Sequence, residues 1–306
     1  MKLCQFQTAG RGLRVGVLEG EAVLDITAPR AGVASVLDLV RAGRTAAGVE
    51  RLARRLARAA ARRPRRAWAA LDRAPRGRGA GLLAPIEPPE VWGAGITYRR
   101  SREYYSEHDA GSAHRGKGIY DYVYDAERPE LFYKGSAARA AGPHAPVGLR
   151  GDSKLTAVEA ELALVIGPGG AIVGYTVGND LSAWDIEREN PLFLPQSKIY
   201  QGSFAFGPVI ATPGSVPDPH ALTIRCVIER EGRTLFDGAT STGALKRRCE
   251  ELVDWLRRYN PIPAGTVLST GTGILVPDEC ALAPGDVVSI TIDGIGTLRN
   301  PVRRLD

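Results

Sequence analysis

The chain has no apolar run of about 18 residues, the length a membrane-spanning helix requires. Met1-Lys2-Leu3-Cys4-Gln5-Phe6 does not open a signal-peptide apolar core either, so a cytoplasmic location is expected and a membrane partner is not. Cysteine is scarce. Cys4, Cys226, Cys249 and Cys280 are scattered without metal-type spacing, which argues for buried thiols and against disulfides or a zinc site. No internal repeat is present. The net charge of +6 raises the question of nucleic acid. No reader motif or aromatic interleaving accompanies it, and Arg51, Arg54, Arg55, Arg58, Arg62 and Arg63 alternate with Ala and Leu as the solvated face of a helix. Nucleic acid is therefore not an expected partner.

What is present suits a folded protein. Hydrophobic residues at 44% and charged residues at 24% of 306 positions can build a substantial core and exclude wholesale disorder. Residues 1–85 alternate short β-like runs (3–6, 13–18 and 22–24) with helical stretches at 33–44 and 46–62. In the second stretch Leu52, Leu56 and Ala60 recur at helical spacing. This reads as a small α+β N-terminal domain, closed by the prolines Pro85, Pro88 and Pro89. Residues 86–306 read as a larger, mainly β domain, making the fold class α+β. One helix is expected there at 243–259, with Leu245, Cys249, Leu252, Val253 and Leu256 on its apolar stripe. Residues 101–127 carry Tyr104, Tyr105, His108, His114, Tyr120, Tyr122 and Tyr124 with little periodicity, and predict an irregular lid over a site.

The chemistry concentrates at Glu159-Ala160-Glu161-Leu162-Ala163-Leu164-Val165-Ile166, a buried-strand pattern interrupted by two acids. Alternation puts Glu159 and Glu161 on one face, where they repel each other and lose hydration unless a cation compensates them. Gly167-Pro168-Gly169-Gly170 is a turn signal, and the β-rich run 171–177 follows, so the pair predicts a hairpin that returns Asp180 to the region opposite Glu159. Three carboxylates with no nearby His or Cys suit magnesium, with manganese or calcium as alternatives. A wet edge strand paired with arginines is the structural alternative.

Four blocks in this order resemble the fumarylacetoacetate hydrolase superfamily over roughly residues 90–305. They are Glu159-Ala160-Glu161-Leu162-Ala163; Gly178-Asn179-Asp180-Leu181-Ser182 with Gly174-Tyr175-Thr176-Val177 before it; Leu194-Pro195-Gln196-Ser197-Lys198; and Ser269-Thr270-Gly271-Thr272-Gly273 with the segments 282–288 and 295–302. The resemblance implies a mixed β-roll catalytic domain, usually dimeric, in which magnesium polarises a 2-oxo acid. Glu159, Glu161 and Asp180 match the family's metal ligands, and Lys198 matches the lysine facing the substrate. Such a metal acts as a Lewis acid and stabilises an enolate shared by hydrolysis, decarboxylation, isomerisation and dehydration.

Departures narrow the choice. Hydrolytic members carry a His and a Glu that activate water after a Gly-x-Asn-Tyr segment. Here Gly95-Ile96-Thr97-Tyr98 is followed by Ser101 and Tyr104 at those places, although His108 or His114 could act from the lid. The blocks 120–132 and 189–196 resemble the branch containing 2-keto-3-deoxy-pentonate dehydratases, which implies a hydro-lyase acting on a 2-keto-3-deoxy sugar acid. A hydrolase or decarboxylase of a 2-oxo or β-diketo acid is the alternative, and a metal-binding pseudoenzyme or ligand-binding protein the alternative of another class. Dehydration needs a base at C3, for which Lys198, made less basic by burial and nearby cations, is the leading expectation; pairing with the glutamates is its structural reading. Glu187 is a further proton-transfer residue or a supporting carboxylate. Lys134, Arg99, Thr272 and Gly271 are expected around the substrate, with only one of Arg99 and Arg100 facing inward. Trp184 stands where the family usually has Arg, which removes a positive charge from beside the metal site.

Overall fold

The computed structural model describes the backbone of residues 1–108, 113–114 and 117–306, and all their side chains except those of 105 and 107–117. The N-terminal segment forms strands β1 (Lys2–Thr8), β2 (Gly12–Glu19) and β3 (Ala22–Asp25). Helices α1 (Val36–Gly43) and α2 (Ala46–Ala59) follow, with the short strand β4 (Gly81–Leu83) after them. Helix α1 begins later than the apolar pattern suggests, because Val33 bridges to Ala28 and Ser35 forms a capping box with Asp38. Thr45 caps α2.

Strand β5 (Val91–Gly95) leads into helices α3 (Arg99–His108) and α4 (Ile119–Asp125), then strand β6 (Glu130–Gly135). The segment expected to be irregular is thus largely helical among the described residues. Its period is hidden because polar groups, Ser101 and Tyr104 among them, occupy the inward face of α3. The hairpin β7 (Ala160–Ile166) and β8 (Ile172–Asp180) is followed by helices α5 (Trp184–Glu189) and α6 (Leu194–Lys198) and strand β9 (Phe204–Ala211). Next come β10 (Thr223–Arg230), β11 (Arg233–Ser241), helix α7 (Cys249–Arg257), β12 (Thr266–Ser269), β13 (Val287–Ile292) and β14 (Gly296–Arg304).

Helix α7 is shorter than the stripe from Leu245 predicts. Leu245 bridges to Tyr98, and the Lys246 N–H donates to Thr97 O at 2.9 Å, so that stretch is held extended against the start of α3. The residues that remain helical, Cys249, Leu252, Val253 and Leu256, are buried as expected.

The strands β3-β2-β1-β9-β8-β7-β12-β5-β6 run side by side in one large sheet, and β11-β10-β13-β14 lie in a second. The N-terminal strands join the first sheet through β1, where Lys2 pairs with Ala211. Strand β7 is buried along its whole length, and its alternation divides the core. Leu162, Leu164 and Ile166 enter the cluster shared with the second sheet and α7. Ala163 and Val165 enter the cluster covered by α1 and α2. Glu161 follows the second parity, and so does Glu159 just before the strand. Their side chains therefore emerge together at its N-terminal end, where the layers open. No described helix is long and apolar enough to cross a membrane.

Candidate metal centre and cavity

The turn at residues 167–171 together with a bulge at Val165/Ile166 sets the hairpin register, with Ala160 opposite Asn179 and Glu161 opposite Gly178. One step further the Asp180 N–H donates to Glu159 O at 2.9 Å, so the predicted return of Asp180 is met residue for residue. Carboxylate oxygens of Glu159, Glu161 and Asp180 lie within 4.8 Å of one another, and all three residues are buried, which removes the wet-edge alternative.

Each carboxylate is held by its own donors. Glu161 Oε2 accepts the Gly271 N–H at 2.6 Å and a short hydrogen bond from Ser269 Oγ. Glu159 Oε1 accepts the Trp184 indole N–H at 2.8 Å, and its Oε2 accepts Lys198 Nζ at 2.9 Å. Asp180 Oδ2 lies 3.3 Å from the same Lys198, while its Oδ1 is 2.5 Å from Lys134 Nζ. Lys198 also donates to Ser182 Oγ at 2.5 Å.

The electrostatics follow from this crowding. Burial pushes the Glu161 carboxyl well up, and Asp180 and Glu159 add to it against the opposing hydrogen bonds from Ser269 and Gly271. Burial disfavours the Lys198 ammonium, but Asp180, Glu159 and Glu187 together outweigh it and hold Lys198 charged. This corrects the expectation of a lysine made less basic, since the carboxylates around it outweigh both its burial and the neighbouring cation Lys134. For Lys134 burial is the larger effect and lowers the pKa despite the attraction of Asp180.

The donor set fits a hard divalent cation. All three groups of the cluster are buried carboxylates with an oxygen of each within 4.8 Å of the others, and Glu159 and Glu161 are held by hydrogen bonds from Trp184 and Gly271. Magnesium, manganese and calcium share this preference for oxygen.

A cavity of about 410 Å³, counted to its open mouth, adjoins the triad. Glu159, Glu187, Lys198, Gly271 and Thr272 line it together with the apolar groups of Ile96, Phe132 and Leu194, the Phe132 ring lying 5.1 Å from Lys198 Nζ. Ser101 from α3 and Tyr120 from α4 also line it, so these two helices form its roof among the described residues. Glu187 accepts Ser197 Oγ at 3.1 Å and lies 3.9 Å from Lys198 Nζ; burial raises its pKa.

The remaining expected residues separate. Gly271 and Thr272 line the cavity, but the Thr272 hydroxyl is engaged with Ala160 O at 3.0 Å. Lys134 sits beneath the triad, donating to Leu181 O at 2.7 Å, and does not line the cavity. Arg99 and Arg100 are both exposed, and Arg99 pairs with Glu103 at 3.6 Å. The expectation that one of them faces inward is corrected, because both lie on the outer side of α3. The side chains of His108 and His114 fall outside the described residues.

Glu130 was not singled out by its sequence context. It is half-buried at the cavity wall at the start of β6, and its carboxyl is pushed up to about 7 by desolvation first and then by Glu187, against the opposing charge of Lys198. The available signal was Gly95, which pairs with Glu130 across the strands; a Cβ there would come within 2.2 Å of the Glu130 carboxylate. A glycine inside a strand marks such a close approach.

A family profile described as fumarylacetoacetate (FAA) hydrolase C-terminal matches residues 105–303. The chain is 49% identical over 223 residues to the 2-dehydro-3-deoxy-D-arabinonate dehydratase of Saccharolobus solfataricus, spanning 73% of this chain and 74% of the relative. It is 44% identical over 218 residues to a probable 2-keto-3-deoxyxylonate dehydratase of Haloferax volcanii, spanning 71% and 73%. The fold superposes with a TM-score of 0.81 on a solved 2-keto-3-deoxy-D-arabinonate dehydratase complexed with magnesium and 2,5-dioxopentanoate, at 35% identity over 100% of this chain and 99% of that one.

Proposed function

The chain belongs to the fumarylacetoacetate hydrolase family, and from that footing we propose that it is a magnesium-dependent lyase removing water from a 2-keto-3-deoxy sugar acid. The observation that carries this reading is the pair of carboxylates, Glu187 buried and Glu130 half-buried, on the wall of the cavity that adjoins the triad. Dehydration needs one group to take a proton and one to give a proton; burial raises both carboxyls, and the charge of Glu187 adds to the rise at Glu130. The place of the water-activating His of hydrolytic members holds Ser101, whose hydroxyl is bonded to Thr272 O.

Glu159, Glu161 and Asp180 would hold the magnesium ion, which when bound draws electron density from the 2-keto group and acidifies the C3 protons. Glu130 takes a C3 proton, and Glu187 gives one to the C4 hydroxyl as the C4–O bond breaks and water leaves. Lys198 pairs with Glu159 and Asp180 and orients them. Ile96, Phe132 and Leu194 limit solvent access to the reacting carbons.

A homodimer, implied by the family resemblance, and a cytoplasmic location belong to the same reading. The four free, buried cysteines suit a reducing compartment. Sedimentation and cell fractionation test these two points. The activity is tested by incubating the protein with 2-keto-3-deoxy-arabinonate or an acylpyruvate, with and without magnesium. Loss of one water with the carbon skeleton intact is expected for the first compound. Cleavage of the acylpyruvate into two acids, or release of carbon dioxide, without any dehydration would overturn the reading.

A further inference from the structure

Trp184 is the first residue of α5, is 1% exposed and packs in a small apolar cluster with Ala157, Ile96, Tyr104, Tyr120 and Leu155, but one polar atom of its ring has a separate task. Its Nε1–H points at Glu159 Oε1, 2.8 Å away, while the other oxygen of that carboxylate is occupied by Lys198. The two donors together fix the carboxylate plane.

The ring of Trp184 is clamped in turn. Tyr104 of α3 packs against it with centroids 5.6 Å apart, and the Arg188 guanidinium lies 5.0 Å from the ring centre. Arg188 makes a two-pronged pair with Asp278, at 2.7 and 3.0 Å, and donates to Tyr104 Oη at 3.1 Å. The Tyr104 hydroxyl donates to Asp278 Oδ1 at 3.0 Å. Trp184 therefore joins a metal-type ligand to the roof helix and to the 278–280 turn.

The other glutamate is tied to the same helix. Ser101 of α3 donates to Thr272 O, and the neighbouring Gly271 N–H donates to Glu161. Both glutamates are thus linked to α3 through at most a few contacts.

Charge explains why an indole suits this place. A guanidinium beside Glu159 would partly neutralise it and oppose a divalent cation. An indole gives one directed hydrogen bond without a charge, and the Arg188 guanidinium stacks 5.0 Å from its ring centre.

We propose that Trp184 is a positioning residue that sets the orientation of Glu159 for its cation and couples that orientation to the seating of the roof helix through Tyr104, Arg188 and Asp278. The coupling is reciprocal, as any linkage between two binding or conformational equilibria must be. It rests on the reading of Glu159 as a metal ligand.

The test is magnesium binding to the full-length protein without substrate, followed by calorimetry. Trp184→Phe keeps the ring and removes the N–H, Tyr104→Phe keeps the ring and removes the link to Asp278, and Asp278→Asn weakens the Arg188 anchor. Removing a partner that orients a metal ligand weakens affinity by about 10- to 100-fold, which is the loss expected for Trp184→Phe. A smaller loss is expected for Tyr104→Phe and Asp278→Asn, together with magnesium-dependent slowing of amide exchange in α3 of the wild type. Unchanged affinity in Trp184→Phe overturns the positioning role. Unchanged affinity in both roof variants with no exchange response overturns the coupling, and these two variants decide it even if Trp184→Phe does not fold. Failure of the wild type to bind magnesium at all would instead remove the metal reading itself.

Discussion

Lys134 Nζ lies 2.5 Å from Asp180 Oδ1, with both side chains buried. The pair fixes the third carboxylate of the triad from behind, and the lysine's second contact is the carbonyl of Leu181 next door. Replacing Lys134 with Met leaves a buried carboxylate without this partner, a change that costs about 3–5 kcal/mol in buried pairs. Urea unfolding of Lys134→Met in chelator should show that loss. A variant as stable as the wild type would mean that Asp180 finds other compensation.

Gly271 supports the same triad from the opposite side. Its φ of 92° is a conformation that side chains avoid, and a Cβ there would lie 2.0 Å from Thr97 Oγ1 and 2.9 Å from Ala94 O. Gly271→Ala must therefore shift the loop whose N–H holds Glu161. Weaker magnesium binding and a lower melting temperature are expected together, and magnesium titration monitored by thermal unfolding checks both.

The triad was readable in the sequence because local rules determine it. Period-two alternation places Glu159 and Glu161 on one face, and the turn around Pro168 returns the chain so that Asp180 comes near them; the register also depends on a one-residue bulge at Val165/Ile166 that the turn signal does not reveal. Lys198 was found through resemblance, but its charge state was misjudged because the carboxylates around it come from three separate segments. Glu130 and the Tyr104–Arg188–Asp278 clamp were not legible. Glu130 enters the site only through pairing with Gly95, and Tyr104 meets Asp278 across 174 residues of sequence. Helix α3 was missed for a related reason, since its inward face serves a polar site and so lacks an apolar stripe. The N-terminal helices, which cover an ordinary core, show that stripe plainly.

Lys198 donates to Glu159 at 2.9 Å and lies 3.3 Å from Asp180, so it offsets the repulsion within the triad. Lys198→Met removes that charge. The protein should become markedly less stable in chelator and recover much of the loss when magnesium is added, because the cation then supplies the missing compensation. Melting curves with and without magnesium check this, with turnover measured at saturating metal. Equal melting temperatures for wild type and variant in chelator would show that the lysine is not needed to offset the carboxylates.

Glu130→Gln separates chemistry from metal binding, because Glu130 lines the cavity without belonging to the triad. Removing a general base lowers turnover by about 100- to 10,000-fold, and magnesium affinity should be nearly unchanged. A base must be ionised to act, so wild-type turnover should fall on the acid side of the Glu130 pKa, which burial and Glu187 push up to about 7 in the metal-free site. A cation at the triad moves that limb to lower pH by offsetting the carboxylates. Stability runs the other way. The folded-state pKa lies above the ordinary glutamate value of 4.5, so the folded protein binds the extra proton between these values. Its contribution to stability is complete below pH 4.5 and is lost as the pH rises through about 7. Glutamine carries no charge at any pH, so Glu130→Gln in chelator should match the wild type at acid pH and exceed it in stability above pH 7. Urea midpoints across that range decide the point: a variant less stable than wild type at alkaline pH would show that Glu130 is held ionised by partners and is not poised to accept a proton.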